Sequence, residues 1–357
     1  MKTSSRYHDF AMILAWPDAT IRGDEAWMMF FKKIGLVKNL NFKVGHTGIV
    51  LIERDSGSLH FYDFGRYISP RGYGRARSKD SDPKLTIDFK AKIEGNCILN
   101  LLEIVLHFEK MKEAMQGFGD LYFSVVQNID FRSAKAFADA WVLRGSYPYG
   151  AVAMNNNNCS RFITRLLIQT TERFHFWHPI NFPETIKASP MSNIVNSSSD
   201  RLIYKYSEAE GLRTLKMCRF SSLMFLFEKL STNLKQKLAS TLPEDITIGG
   251  MIQKDKPRTI PTEAQYLGGV GEGAWFHIEP VGSNQAVFHR FTIKGELEYS
   301  VLGKALEPID FNIPYQISYD SHLLFSHLQQ NGRIVRFEHI RVLMLGETRS
   351  STRDQYA

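Results

Sequence analysis

The pattern of apolar residues changes character near residue 257, and that change limits the chain to two kinds of architecture in succession. Beyond it, short stretches rich in β-branched and aromatic residues are separated by glycine turns: AQYLGGVGEGAWFHIEPV, AVFHRFTIKG, ELEYSVLG, PYQISYDSH and RIVRFEHIRVLML. Such runs, bounded by turn residues, predict strands, and about 100 residues of them make an ordinary all-β domain. Before residue 257 the signals mix. FAMILAW (10–16) reads as a buried strand, and 24–38 as a short helix with an aromatic and methionine face. VGHTGIVLIERDSGSLHFYDFGRYI (44–68) reads as a hairpin turning at Asp55-Ser56-Gly57. KLTIDFKAKI (84–93) alternates as a third strand, 97–116 is helical, DLYFSVVQNI (120–129) is a strand, and 130–145 is a helix closing at Gly145. Residues 171–200 read as a long loop, and about 207–241 as helical. We therefore expect an α+β domain over 1–200, a helical connector over 201–256 and a β-rich domain over 257–350.

Within the first domain, one stretch draws chemical attention. NNNNCSRF (155–162) sets four asparagines before a single cysteine, and Phe162, Ile163, Leu166 and Leu167 follow with the spacing of one helical face. Asn158 is a good N-cap, so Cys159 falls in the first turn. A thiol there meets the positive end of the helix dipole and unpaired N–H groups, which favour the thiolate form of a nucleophile. A base is then required. His46 begins a hairpin strand between Gly45 and Gly48, whose small size leaves room for another backbone or a substrate. Imidazole on a sheet facing a cysteine at a helix start is the arrangement of a Cys–His pair. A third polar group orients such an imidazole. His60 and Asp63 are the candidates, and three positions apart on a regular strand they face opposite sides, so only one can serve. Asp63 is the better acceptor.

Three segments in order, GHTGIVLI, LYFSVVQNIDFRSAKAFADAWVLRGSYPYG and NCSRFITRLL, resemble the permuted branch of the NlpC/P60, papain-like superfamily, which includes YiiX-like and lecithin retinol acyltransferase-like proteins. The resemblance covers about residues 8–175. It implies a permuted papain-like antiparallel sheet with packed helices, with His46 in the family's histidine place and Gly145, Tyr147, Asn158, Cys159 and Ser160 in the places leading into and following the cysteine. The family's third residue is a polar side chain on the next strand, often histidine, which puts His60 there. The implied substrates are a peptide, a peptidoglycan-type amide or a lipid ester. The C-terminal part resembles an uncharacterised β-rich domain found fused to such units.

Other features narrow the surroundings. Arg66, Arg71, Arg75, Arg77 and Lys79 crowd one glycine- and aromatic-rich loop, where guanidinium forks could hold a substrate carboxylate or phosphate, or pair with Asp80 and Asp82. Arg66, Arg71, Arg75, Arg77, Tyr147 and Tyr149 are the candidate substrate-binding residues. The aromatic loop RFHFWHPINF (173–182) could wall a groove or cover a seam, and His175 and His178 lack the helical spacing of a metal site. GVGEGAW has no lysine-threonine and no following helix, so it reads as a tight turn rather than a phosphate cradle. Cys97 and Cys218 lie in apolar helical contexts and are expected to be inert core thiols.

The net charge of +7 over 357 residues calls for no nucleic-acid partner, and three scattered cysteines form neither a disulfide framework nor a C-x-x-C zinc pair. No window is long and apolar enough for a transmembrane segment, and the first residues carry no secretory signal, so a cytoplasmic location is expected. Neither a cofactor nor a metal is expected. The reading is a cysteine hydrolase or acyltransferase with Cys159 as nucleophile and His46 as base. Its alternative is an inactive papain-like module that recognises an anionic ligand through the arginine loop.

Overall fold

The computed structural model describes residues 6–23, 26–150, 155–172, 189–198, 200–240, 242, 255–269 and 273–343. The chain divides into two compact units, one of residues 1–65, 72–79 and 84–249, the other of residues 66–71, 80–83 and 250–357. The first mixes helices with an antiparallel sheet, and the second is all-β.

In the first unit, β1 (Asp9–Trp16) is flanked by β4 (His46–Ile52) and β9 (Leu121–Ile129). Beyond β4 come β5 (Leu59–Gly65), β6 (Tyr73–Arg77) and β10 (Tyr147–Pro148); beyond β9 come β11 (Leu202–Ser207) and β12 (Gly211–Lys216). The eight-strand order is β10-β6-β5-β4-β1-β9-β11-β12. Phe10 through Trp16 are all fully buried, because a central strand covered on both faces must be apolar at every position. One face packs Phe10, Met12, Leu14, Val50 and Phe61 against Ile104, Val105 and Phe108 of α2 (Leu101–Lys110). On the other, Phe64 meets Trp141 of α3 (Phe131–Arg144) and Phe162 of α4 (Cys159–Thr170). Asp130 caps α3 by accepting from the Ser133 N–H, and Gly145 ends it at φ +74°, the conformation its glycine was expected to supply. Helix α1 spans Ala26–Lys33, and two short ribbons pair β2 (Ile21–Arg22) with β3 (Asn41–Phe42) and β7 (Ile93–Glu94) with β8 (Cys97–Ile98).

Four sequence expectations change. Residues 84–93 do not form a strand of the sheet: Leu85 and Ala91 are buried and Ile87, Phe89 and Ile93 lean on the α2-side core, while a Ser58–Lys90 bridge and the Ala91 N–H to Gly57 O bond tie the segment to the hairpin turn. Its alternation reflects one-sided burial without a ladder partner. Helix α5 (Pro190–Ser197), every residue of it buried, occupies part of the segment read as a loop, and Ser189 and Ser192 form its capping box. The helical reading over 207–241 holds only from α6 (Arg219–Leu234) and α7 (Gln236–Ala239); before them, β11 and β12 extend the sheet. Finally, neither Cys97 nor Cys218 is a core thiol. Cys97 is exposed at the start of β8, and Cys218 is the partly exposed N-cap of α6.

The second unit is a seven-stranded antiparallel sheet. Its strands are β13 (Gln265–Gly268), β14 (Gly273–Pro280), β15 (Gln285–Thr292), β16 (Leu297–Ala305), β17 (Gln316–His322), β18 (Phe325–Gln330) and β19 (Arg333–Val342). The order is β13-β14-β15-β16-β19-β18-β17, and the sheet curls until its edges nearly meet. The Gln265 amide spans that gap, donating to Tyr315 O (3.1 Å) and accepting from the Ile317 N–H (2.7 Å). Near closure of this kind shields edge strands from outside pairing. Phe276, Ile278, Phe288, Val301, Leu328 and Phe337 fill the interior. The turn expected in GVGEGAW falls at 270–272, outside the described residues. Among the described residues no helix is long and apolar enough to cross a membrane.

Candidate active site

Cys159 is the first residue of α4, and Asn158 caps the helix by accepting from the Arg161 N–H at 2.9 Å. The asparagine run explains how this helix start is anchored. Asn157 exchanges backbone bonds with the 148–150 segment, donating to Pro148 O (2.9 Å) and accepting from the Gly150 N–H (3.0 Å). The Asn158 amide donates to Gly150 O and the Asn156 amide to Tyr149 O, both at 3.3 Å. Arg161 and Arg165 reach back to Asn156 O. From the other side, Asn193 of α5 donates to Ser160 O (2.9 Å) and accepts from Thr164 Oγ1 (3.0 Å). The turn carrying the sulfur is therefore gripped from both sides.

His46, the first residue of β4, donates from Nε2 to Asp63 Oδ2 at 3.0 Å, and the Cys159 side chain is close enough to help raise its pKa. With Nε2 committed to the carboxylate, Nδ1 is the ring nitrogen left for another partner. The Trp16 ring lies nearly parallel to the imidazole, 12° between planes and 6.5 Å between centroids. Asp63 stands opposite Gly48 in the hairpin register, two residues along from His46 on the same face. It also receives Arg77 as a fork, Nε to Oδ1 at 3.1 Å and Nη2 to Oδ2 at 2.8 Å. Arg77, which stands opposite Asp63 on β6, donates further to Ala114 O. Asp63 and Arg77 are fully enclosed, while Cys159 and His46 keep 4% and 6% exposure.

The electrostatics follow from this enclosure. Burial alone pushes the His46 imidazolium down, but its hydrogen bonds to Asp63 and Cys159 and their charges raise it to about 9. Burial alone pushes the Asp63 carboxyl up, and the Arg77 charge together with the His46 bond holds it at about 2. The carboxylate thus stays ionised, and the imidazole bonded to it readily carries a proton.

The two contenders for the third position separate. Asp63 touches His46, whereas the His60 ring packs edge-on against Phe131, 5.4 Å between centroids. The room expected around His46 is filled partly by the protein itself: a side chain at Gly45 (φ +81°) would strike Trp16 O and Pro17 Cα, and one at Gly48 would strike the Phe61 ring. Among the arginines, Arg75 is buried and Arg77 is committed to Asp63, while Arg66 and Arg71 fall in the other unit. Tyr149 stacks on Phe64, and Tyr147 meets Trp141 edge-on beneath the Arg144 guanidinium. The aromatic loop 173–182, with His175 and His178, lies outside the described residues. Sequence reasoning missed three contributors: Arg77 as a partner of Asp63, Asn193 and Trp16. The Ser189-Pro190 pair with Ser192, a helix-start signature, was the signal that could have disclosed α5 and so Asn193. Among the described residues the three-membered group of possible metal ligands is His277, Glu279 and His289, which belong to the second unit.

Comparison with known proteins gives a partial frame. Residues 11–176 match the family model described as type VI secretion system effector TseH-like, and residues 264–340 match the DUF6695 C-terminal domain. The crystal structure of the type VI secretion system effector TseH is similar at 17% identity, covering 58% of this chain and 98% of that one, with a TM-score of 0.42. No curated protein matches the chain.

Proposed function

We propose that the first unit is a papain-like cysteine hydrolase or acyltransferase in which Cys159 attacks an amide or ester carbonyl. The observation that carries this reading is a buried His46 that bonds Asp63 and whose pKa is raised in part by the side chain of Cys159, the first residue of its helix. His46, already holding the proton of the thiol before attack, gives it to the departing amine or alcohol after Sγ has bonded to the carbonyl carbon and as the C–N or C–O bond breaks. Water then attacks the thioester with His46 as base, releasing the acid and restoring the thiol; an acyl acceptor in place of water gives transfer. Asp63 orients the ring and balances its charge, and Arg77 keeps Asp63 ionised and fixed. The N–H groups opening α4 are the nearest candidates for the oxyanion.

The family match over residues 11–176 includes both His46 and Cys159 and supports a secreted effector, acting in a target cell rather than in the cytoplasm that made it. Of the substrate classes, a peptide or peptidoglycan-type amide fits a secreted hydrolase better than a lipid ester. The inactive binding module draws less support, since two of the four arginines it needs are buried.

An activated ester such as p-nitrophenyl acetate tests the chemistry without knowledge of the substrate. The expected result is a burst of nitrophenol with an acetyl group on Cys159 by peptide mass mapping, absent in Cys159→Ala and much slower in His46→Gln. Acetylation of Cys159 that is unaffected by His46→Gln, or labelling of Cys97 and Cys218 alone, would overturn the reading. Release of new amines from peptidoglycan fragments by the wild-type chain then tests the substrate class.

A further inference from the structure

The second unit carries a side-chain cluster of different chemistry. His277 and Glu279 are two residues apart on β14 and so share a face, and His289 is the cross-strand partner of His277 on β15. Their neighbours Phe276, Ile278 and Phe288 point into the interior, so the cluster lies on the outer face of the curled sheet. His277 Nδ1 lies 3.3 Å from Glu279 Oε1, and His289 Nε2 lies 3.5 Å from the same oxygen. All three ligand atoms fall within 4.8 Å of one another. The two rings stack at 23°, 5.7 Å between centroids. The His289 side chain is 9% exposed, and its Nε2, facing this group, has no hydrogen-bond partner, while its Nδ1 is 2.7 Å from Ser300 Oγ on the next strand.

We propose that His277, Glu279 and His289 form a zinc-binding site on the C-terminal β unit, with Ser300 orienting His289. The size argument is direct. Zinc bonds of about 2.0–2.1 Å set tetrahedral edges of about 3.4 Å, which matches the two nitrogen–oxygen separations. Two imidazoles and a carboxylate are the donor set of a zinc ion that keeps one position open, whereas magnesium and calcium take oxygen shells. A row of His277, His289 and Ser300 across three strands places the outer partner where it fixes the ring: His289 Nδ1–H donates to Ser300, leaving the Nε2 lone pair for the metal. Glu279, about half exposed, provides the solvent-facing entrance.

The test is calorimetric titration of the full-length, chelator-stripped chain with zinc chloride, alongside Glu279→Gln and His289→Gln. One zinc per chain is expected, with affinity weakened by at least about tenfold in each variant. Zinc should raise the thermal midpoint of the wild type more than that of either variant. Glu279→Gln alters an outward carboxylate and keeps the comparison valid if His289→Gln folds poorly. Cobalt(II) distinguishes this site from the Cys159 region, since the expected spectrum has d–d bands without sulfur-to-cobalt charge transfer. No uptake by the stripped chain, equal uptake by Glu279→Gln, or a sulfur charge-transfer band at one equivalent would overturn the proposal.

Discussion

Each unit holds a histidine–carboxylate pair, and their surroundings differ in two respects. His46 and Asp63 are enclosed, and a buried arginine grips the carboxylate with a two-pronged fork. His277, His289 and Glu279 lie on an outward face, with the carboxylate half exposed and a second imidazole beside it. In the first pair the charge on Asp63 is already answered by Arg77, so the carboxylate is free to act as an orienting acceptor for His46. In the second the three lone-pair donors converge within 4.8 Å of one another, an arrangement that suits a metal. Burial and the third partner, rather than the histidine–carboxylate pair itself, decide which chemistry such a pair serves.

Mutation of the carboxylates separates the two most sharply. Asp63→Ala strands the buried Arg77 charge and should cost about 3–5 kcal/mol, read from urea unfolding midpoints. Glu279→Gln in metal-free protein should move the same midpoint by less than about 0.5 kcal/mol. Comparable costs at the two positions would erase the distinction drawn here.

Titration probes the enclosed pair without mutation. His46 is raised from 6.5 to about 9, so the stability from its protonated form is complete below pH 6.5 and is lost as pH rises toward 9. Asp63 is lowered from 3.8 to about 2, so its contribution is complete above 3.8 and is lost as pH falls toward 2. Stability from this pair should therefore plateau between those limits, and His46→Gln should remove the alkaline decline. An unchanged alkaline limb in that variant would assign the decline to other groups.

Smaller effects test how the pair is seated. Gly45 has φ +81° and lies against Trp16 O and Pro17 Cα, so Gly45→Ala should cost about 1–3 kcal/mol and slow acylation of Cys159 by shifting His46. Asn158→Ala removes the cap of α4 and should cost about 1 kcal/mol. A neutral outcome at either position would mean that the seat of the sulfur or the ring is set elsewhere.

These contrasts also mark what the sequence made legible. Strand β1 was readable because seven apolar residues in a row suit a strand covered on both faces, and α4 because Asn158 and the spacing of Phe162, Ile163, Leu166 and Leu167 agree. Cys159 and His46 followed from their places on those elements. The choice between His60 and Asp63 needed the hairpin register, since Asp63 opposite Gly48 is what brings it to His46. The fork from Arg77 needed β6, a strand hidden in a glycine- and arginine-rich stretch that reads as a loop. Local alternation misled at 84–93, where burial came from one side without a ladder partner. The ligand cluster of the second unit was invisible for a related reason: His277 and His289 are twelve residues apart and become neighbours only through pairing of β14 with β15.

The central claim, that His46 activates Cys159, is tested most directly by alkylation of the native chain with iodoacetamide near neutral pH, each cysteine followed by peptide mass spectrometry. Cys218, whose thiol is lowered chiefly by its hydrogen bond with Ser221, serves as the internal reference for a helix-start thiol without a histidine. The account predicts that His46→Gln slows labelling of Cys159 by about 100-fold and leaves Cys218 unchanged. Labelling of Cys159 at the same rate with and without the imidazole would contradict it.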